Sequence, residues 1–265
     1  MSHILAVRNV VKTFGTVRAV DGVSFDVRQG TITGLLGRNG AGKTTTIRMI
    51  TGIFMPDSGS IQWLGASTAA EFRDRIGYLP EERGLYKQMK IVELLLFLAE
   101  IKGKRPADVR PAIDGWLERF ELTDKRNAKI EELSKGNQQK VQLIGTLLHD
   151  PDLIILDEPQ SGLDPVNMVL VRNLLRDLKN EGKTILLSTH MMGEAERMAD
   201  DAQARLDEEL RILYVAVRRA QLAVVLVGGT NFNPKPKGAQ YYCWRDEVDR
   251  ARGALGAAAD FRAPV

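Results

Sequence analysis

The residues best suited to chemistry are Gly37-Arg38-Asn39-Gly40-Ala41-Gly42-Lys43-Thr44, followed by Thr45. They fit G-x-x-x-x-G-K-[ST] at every constrained position, between the apolar run Thr31–Leu36 and a helical pattern that begins near Lys43. Glycines let such a loop turn its backbone N–H groups, and the start of the next helix, toward phosphate oxygens. Lys43 then bridges a β- and a γ-phosphate, and the Thr44 hydroxyl ligates Mg²⁺. A second chemical element is Leu153–Pro159, an apolar strand ending in two acids, Asp157 and Glu158. A carboxylate at the C-terminal edge of such a strand is placed to hold Mg²⁺, and its neighbour to polarise a water in line with the γ-phosphate. A third is Leu133-Ser134-Lys135-Gly136-Asn137-Gln138-Gln139, a polar glycine turn expected to open a helix from Gln138 to His149. Ser134 fits an N-cap, and the free N–H groups behind it make either a second anion site or simply a capped helix.

The elements that must hold these residues follow from hydropathy patterning. Residues 4–11 and 23–28 read as strands, with Asp21-Gly22 as the turn between them. From Glu82 to Asp150 the apolar spacing becomes helical, as in MKIVELLLFLAEIKG, PADVRPAIDGWLERFEL and QQKVQLIGTLLH, which reads as a helical insertion. LIILDEP, a helix over Val166–Lys179 and a strand over Thr184–Ser188 then complete the alternation that builds a parallel sheet.

In this order, GRNGAGKTT, LSKGNQQ, LIILDEP, SGLD and LLSTH resemble the nucleotide-binding subunit of ATP-binding cassette (ABC) transporters over about residues 4–198. The resemblance implies an α/β P-loop NTPase with a RecA-like core, a small antiparallel β subdomain and a helical subdomain inserted at about 84–150. It also implies ATP and Mg²⁺ as ligands, and a head-to-tail pairing with a second cassette, identical or homologous, that sandwiches two ATP molecules. Ser134 and Gly136, flanked by Lys135 and Asn137, would contact the γ-phosphate held by the opposite subunit. Asp164 of Ser161-Gly162-Leu163-Asp164 would lie at the dimer seam, and His190 would hydrogen-bond the γ-phosphate and the attacking water. Phe14 matches the aromatic that stacks on adenine. Glu81, in IGYLPEE, replaces the glutamine that usually touches Mg²⁺; a carboxylate there can still ligate the metal. LPEERGLY and KGNQQK resemble stand-alone bacterial export cassettes of the sodium-efflux and ABC-2 type, so export through separate membrane-spanning permease subunits is expected. Gly84–Leu94, with Leu85, Tyr86 and Met89, is the expected wall of the permease groove or part of the helical core.

Composition sets the outer bounds. The chain has 265 residues, 44% hydrophobic and 27% charged, with a formal charge of +3 and one cysteine, which describes a globular protein with a real core. Lone Cys243 allows neither an internal disulfide nor a multi-cysteine metal site, and no apolar run is long enough to span a bilayer. With no secretory leader pattern at the start, the expectation is a cytoplasmic protein, peripheral at the inner face of the membrane through a permease alone. The basic excess is small and dispersed, so nucleic acid is not an expected partner. Two other readings stand beside transport: a soluble ATPase working on ribosomes or DNA, which usually carries tandem phosphate loops or a long coiled coil not found here, and a regulatory cassette with impaired hydrolysis, suggested by Glu81. After about residue 194 the composition shifts. Residues 1–194 hold 10 alanines and 195–265 hold 14, and no lysine occurs between Lys183 and Lys235. The expected domains are therefore 1–198 as the cassette and 199–265 as an atypical tail, divergent or read in another frame, with DDAQARLDEELRIL as a helix.

Overall fold

The computed structural model describes residues 3–63, 72–82, 84–190 and the backbone of 222–225. Two sheets organise the described residues. The first is antiparallel, in the order β2-β1-β4, from β1 (His3–Phe14), β2 (Val17–Arg28) and β4 (Ser58–Trp63). The second has the order β5-β6-β7-β3-β8, from β3 (Ile32–Gly37), β5 (Ile76–Leu79), β6 (Leu153–Asp157), β7 (Thr184–Thr189) and β8 (Leu222–Val225). Its β5/β6, β6/β7 and β3/β7 pairs are parallel, and β8 closes the β3 edge antiparallel.

β6 and β7 are buried along their whole length, and their side chains divide between two cores with the two-residue period of a strand. Ile154, Leu156, Ile185 and Leu187 face one core, built mainly by helices α2 (Ile91–Ile101), α3 (Pro106–Arg119), α4 (Lys135–Leu147) and α5 (Pro165–Asn180). Leu153, Ile155 and Leu186 face the other, shared with the antiparallel sheet and helix α1 (Lys43–Ile50). The C-terminal ends of β3, β6 and β7 thus form one rim, fixed from both sides by packed apolar residues.

Three local expectations are corrected. The β1–β2 hairpin turns at Gly15-Thr16, not at Asp21-Gly22; Gly22 (φ 71°) lies inside β2 beside an irregularity in the β1–β2 register. Helix α4 starts at Lys135 and ends at Leu147, three residues earlier at the start than the Gln138–His149 reading, because the Ser134 side chain accepts from Asn137 N at 3.3 Å and draws Lys135-Gly136-Asn137 into the first turn. Strands β4 and β5 were not anticipated. DDAQARLDEELRIL lies outside the described residues.

Candidate functional site

β3 delivers the glycine loop and α1 receives it. Gly40 (φ 80°) and Gly42 (φ 89°) adopt left-handed backbone, and a Cβ at Gly42 would sit 2.4 Å from the Ala19 carbonyl oxygen of β2, so only glycine fits there. Gly42 is the N-cap of α1 without any side-chain cap bond, so its first-turn N–H groups are left for another acceptor. Arg38, Asn39 and Gly40 are exposed, Ala41 and Lys43 buried, and Thr44 and Thr45 half-buried.

Lys43 Nζ donates to the Gly37 carbonyl at 2.8 Å and the Arg38 carbonyl at 3.3 Å, and lies 3.1 Å from Glu158 Oε1. Lys43 and Glu158 side chains are each 6% exposed. A buried ammonium of this kind needs such partners, because an unpaired charge in a dry site is strongly disfavoured. Glu158 takes φ 50° directly after β6, which turns its carboxylate back over the rim. Its other oxygen, Oε2, lies 2.9 Å from His190 Nδ1 and 3.4 Å from His190 N. Glu158 therefore bridges the phosphate-loop lysine and the residue after β7.

Asp157, fully buried at the end of β6, is the register partner of Ser188 on β7. Ser188 Oγ donates to Asp157 Oδ1 and accepts from Glu158 N at 3.0 Å, so one hydroxyl fixes both acids. Asp157 Oδ2 is buried without a hydrogen-bond partner. An acceptor-only carboxylate oxygen left in this way fits a cation, and with the Thr44 hydroxyl it supplies the oxygen donors Mg²⁺ prefers, the rest coming from phosphate and water. Among the described residues no group of three or more His, Cys, Asp or Glu side chains is placed to hold a metal ion. Glu81 is exposed in the loop after β5. Beside it Tyr78 is raised above the usual phenol range, first by burial and then by the Asp157 charge.

Ser134, Lys135, Gly136 and Asn137 form the start of α4, with Ser134 and Lys135 exposed. They pack beside the start of α5: a Cβ on Gly136 would lie 3.1 Å from Asn167 Nδ2 and 3.9 Å from Asp164 Oδ2. Asp164 is the α5 N-cap and accepts from Asn167 N at 2.9 Å; this bond and a second from the Asn167 side chain hold its carboxyl below the ordinary range. Lys43, Glu158 and His190 are thus brought together directly, with Asp157 tied to Glu158 through Ser188, and the starts of α4 and α5 bring Gly136 beside Asp164 and Asn167. Phe14, at the end of β1, is 43% exposed and meets Phe54 edge-on with centroids 5.3 Å apart. Of the expected permease wall, Leu85 and Met89 pack against the helical core, and Tyr86 is exposed against Phe97 with centroids 5.5 Å apart.

Ser188 was missed in the sequence. Its partner Asp157 lies on a neighbouring strand, so the signal is the β6/β7 register and not a local pattern.

The sequence matches known proteins over most of the described residues. The family model described as "ABC transporter" matches residues 20–161. The chain is 50% identical over 198 residues to the uncharacterized ABC transporter ATP-binding protein YhaQ of Bacillus subtilis, covering 75% of this chain and 66% of that protein. It is 47% identical over 200 residues to the uncharacterized ABC transporter ATP-binding protein MJ1023 of Methanocaldococcus jannaschii (76% and 73% covered). It is 41% identical over 201 residues to the Nod factor export ATP-binding protein I of Ralstonia nicotianae (75% and 63% covered). The match thus spans just under two thirds of the first and third of these relatives. Among solved structures, one titled as the ATP-binding subunit of an ABC transporter aligns with TM-score 0.68 at 33% identity, covering 74% of this chain and 82% of the other. The ADP conformation of the cassette MJ1267 aligns with TM-score 0.64 at 28% identity (75% and 85% covered).

Proposed function

The chain belongs to the ABC transporter family as an ATP-binding cassette, and from that premise we propose that it is the ATP-hydrolysing subunit of an exporter, acting on separate membrane-spanning permease subunits. The observation that carries this reading is the convergence of Lys43, Glu158 and His190 on one rim, with the unpartnered Asp157 Oδ2 beside them.

The chain's own groups divide the work. The glycine loop and the α1 N–H groups bind the β- and γ-phosphates, and Lys43 exchanges Glu158 and the two carbonyls for phosphate oxygens. Thr44 and Asp157 would hold Mg²⁺, which when bound would supply charge to neutralise the phosphates, and Glu81, in the loop after β5, would be a further ligand. Glu158, released from Lys43, accepts a proton from the water that attacks the γ-phosphorus as the bond to the β-phosphate oxygen breaks. His190 orients Glu158 and the γ-phosphate. Ser188 holds both acids, and Phe14 stacks on adenine.

Ser134, Lys135, Gly136, Asn137 and Asp164 serve the ATP of a second cassette, identical or homologous. That accounts for a capped helix start whose Ser134 and Lys135 are exposed. Closure on ATP and opening after phosphate release drive the permease. The cassette occupies 1–198, with the helical part at about 84–150 inserted, and 199–265 lies beyond it. Attachment to the membrane comes through the permease, at the cytoplasmic face; among the described residues no helix is long and apolar enough to cross a membrane. Export, rather than import, follows the Nod factor relatives and the LPEERGLY likeness.

The test is affinity capture of the full chain from detergent-solubilised membranes. A stoichiometric multi-span membrane protein supports transport; co-sedimentation with ribosomes and no membrane partner overturns it. The alternative of a regulatory cassette with impaired hydrolysis rests on Glu81 and is decided by comparing phosphate release by purified wild type and Glu158→Gln.

A further inference from the structure

The segment that leads into and opens β4, Pro56-Asp57-Ser58-Gly59, is bound to β1 by more contacts than a connecting turn requires. Asp57 N donates to the Val11 carbonyl at 2.8 Å. Asp57 Oδ2 accepts from Thr13 N at 2.7 Å, and Oδ1 accepts from Lys12 Nζ at 2.7 Å. Gly59, with φ +88°, lies so close to β1 that an added Cβ would sit 2.4 Å from the Arg8 and Asn9 carbonyl oxygens. These contacts grip three successive residues, Val11, Lys12 and Thr13, immediately before Phe14.

Two further contacts reach the Phe14 ring itself. Lys12 Nζ, held by Asp57, lies 5.6 Å from its centroid, within cation–π range. Phe54, three residues before Asp57, meets it at an interplanar angle of 68°. Phe54 is in turn fixed by its N–H to the Arg48 carbonyl at the end of α1, the helix that starts on the phosphate loop.

We propose that Asp57 and Phe54 are positioning residues for the adenine site: together they hold Phe14 at a fixed distance from the phosphate loop, so that base and triphosphate are bound in one geometry. This rests on the reading of Phe14 as the adenine-stacking aromatic. The Lys12 hydrogen bond first, and the Thr13 N–H second, hold the Asp57 carboxyl below the ordinary carboxylate range, so the clamp is charged at neutral pH. α1 thereby links both ends of the nucleotide site, its N-terminus reading phosphate and its C-terminal turn bracing the base platform.

The test separates the base from the phosphates. ATP and inorganic tripolyphosphate are titrated calorimetrically into the full chain and into Asp57→Ala, Phe54→Leu and Phe14→Ala, with thermal melts to confirm folding. Asp57→Ala and Phe54→Leu are expected to raise the Kd for ATP about threefold to tenfold, the scale of a lost aromatic contact, and to leave that for tripolyphosphate within about twofold. Phe14→Ala raises the ATP value at least as much. If Phe14→Ala loses ATP affinity and the other two do not, the positioning role is wrong and the stacking role stands. If none of the three changes ATP affinity, the stacking role itself fails. Equal weakening toward both ligands places the effect in the phosphate loop and overturns the proposal. Should Asp57→Ala not fold, Phe54→Leu and Lys12→Met make the same comparison.

Discussion

Replacing Glu158 by glutamine should tighten ATP binding, before any effect on catalysis is considered. Lys43 Nζ lies 3.1 Å from Glu158 Oε1, and both side chains are 6% exposed. At an effective dielectric constant of about 20, two unit charges at this separation attract by about 5 kcal/mol. Most of that gross attraction is offset by the desolvation of both groups, and Lys43 has other acceptors, the Gly37 and Arg38 carbonyls at 2.8 and 3.3 Å. A net contribution of about 1–2 kcal/mol remains as the contact a triphosphate must replace when it takes Lys43. Glu158→Gln removes that charge and also the repulsion between the carboxylate and the γ-phosphate. Both changes act in the same direction, so the Kd should fall about 5- to 30-fold. The assay is calorimetric titration of ATP with EDTA present, wild type against variant. An unchanged or weaker affinity in a folded variant would refute the argument, because it would mean that the Lys43–Glu158 pair does not compete with phosphate.

Three other outcomes follow from particular contacts. Ser188→Ala removes the hydroxyl shared by Asp157 and Glu158 N; kcat should fall about 10- to 100-fold with little change in ATP affinity, read by steady-state phosphate release. Gly42→Ala forces a left-handed alanine against the Ala19 carbonyl; it should cost at least about 2 kcal/mol in a denaturant titration and abolish ATP binding. His149 is buried with Nε2–H donated to the Ile76 carbonyl at 3.0 Å, and burial pushes its pKa down from 6.5 to about 4. The fold favours neutral His149, so this contribution is complete above the ordinary value and is lost as pH falls from about 6.5 toward 4. Stability measured by denaturant should drop by about 2 kcal/mol between pH 7 and 5, and the drop should shrink in His149→Gln.

Local and non-local features differed in how readable they were. The phosphate loop, the two acids after LIIL and the Ser134 cap are each written in consecutive residues, because glycine conformation, strand burial and capping are local effects. The same cap set a trap. Lys135-Gly136-Asn137 has the composition of a turn, yet the Ser134 bond to Asn137 N made it the first turn of α4. Asp21-Gly22 has the composition of a hairpin turn, but Gly15 supplied that turn and Gly22 sits in an irregular strand. β4 carries only Ile61 and Trp63 as large apolar residues along a mostly exposed edge, and β5 is four residues long, so neither offered a clear period. Ser188 and Asp57 act over longer separations. Ser188 meets Asp157 only once β6 and β7 are in register, and Asp57 reaches Thr13 across 44 residues. No local pattern encodes such pairings.

We propose that Lys43, Asp157, Glu158 and His190 form one ATP-hydrolysing site. The most direct test is phosphate release from ATP and Mg²⁺ by purified wild type and Glu158→Gln, with bound ATP measured in parallel. Wild-type turnover should fall at least about 100-fold in Glu158→Gln while ATP stays bound. Wild-type turnover indistinguishable from that of the variant would contradict it.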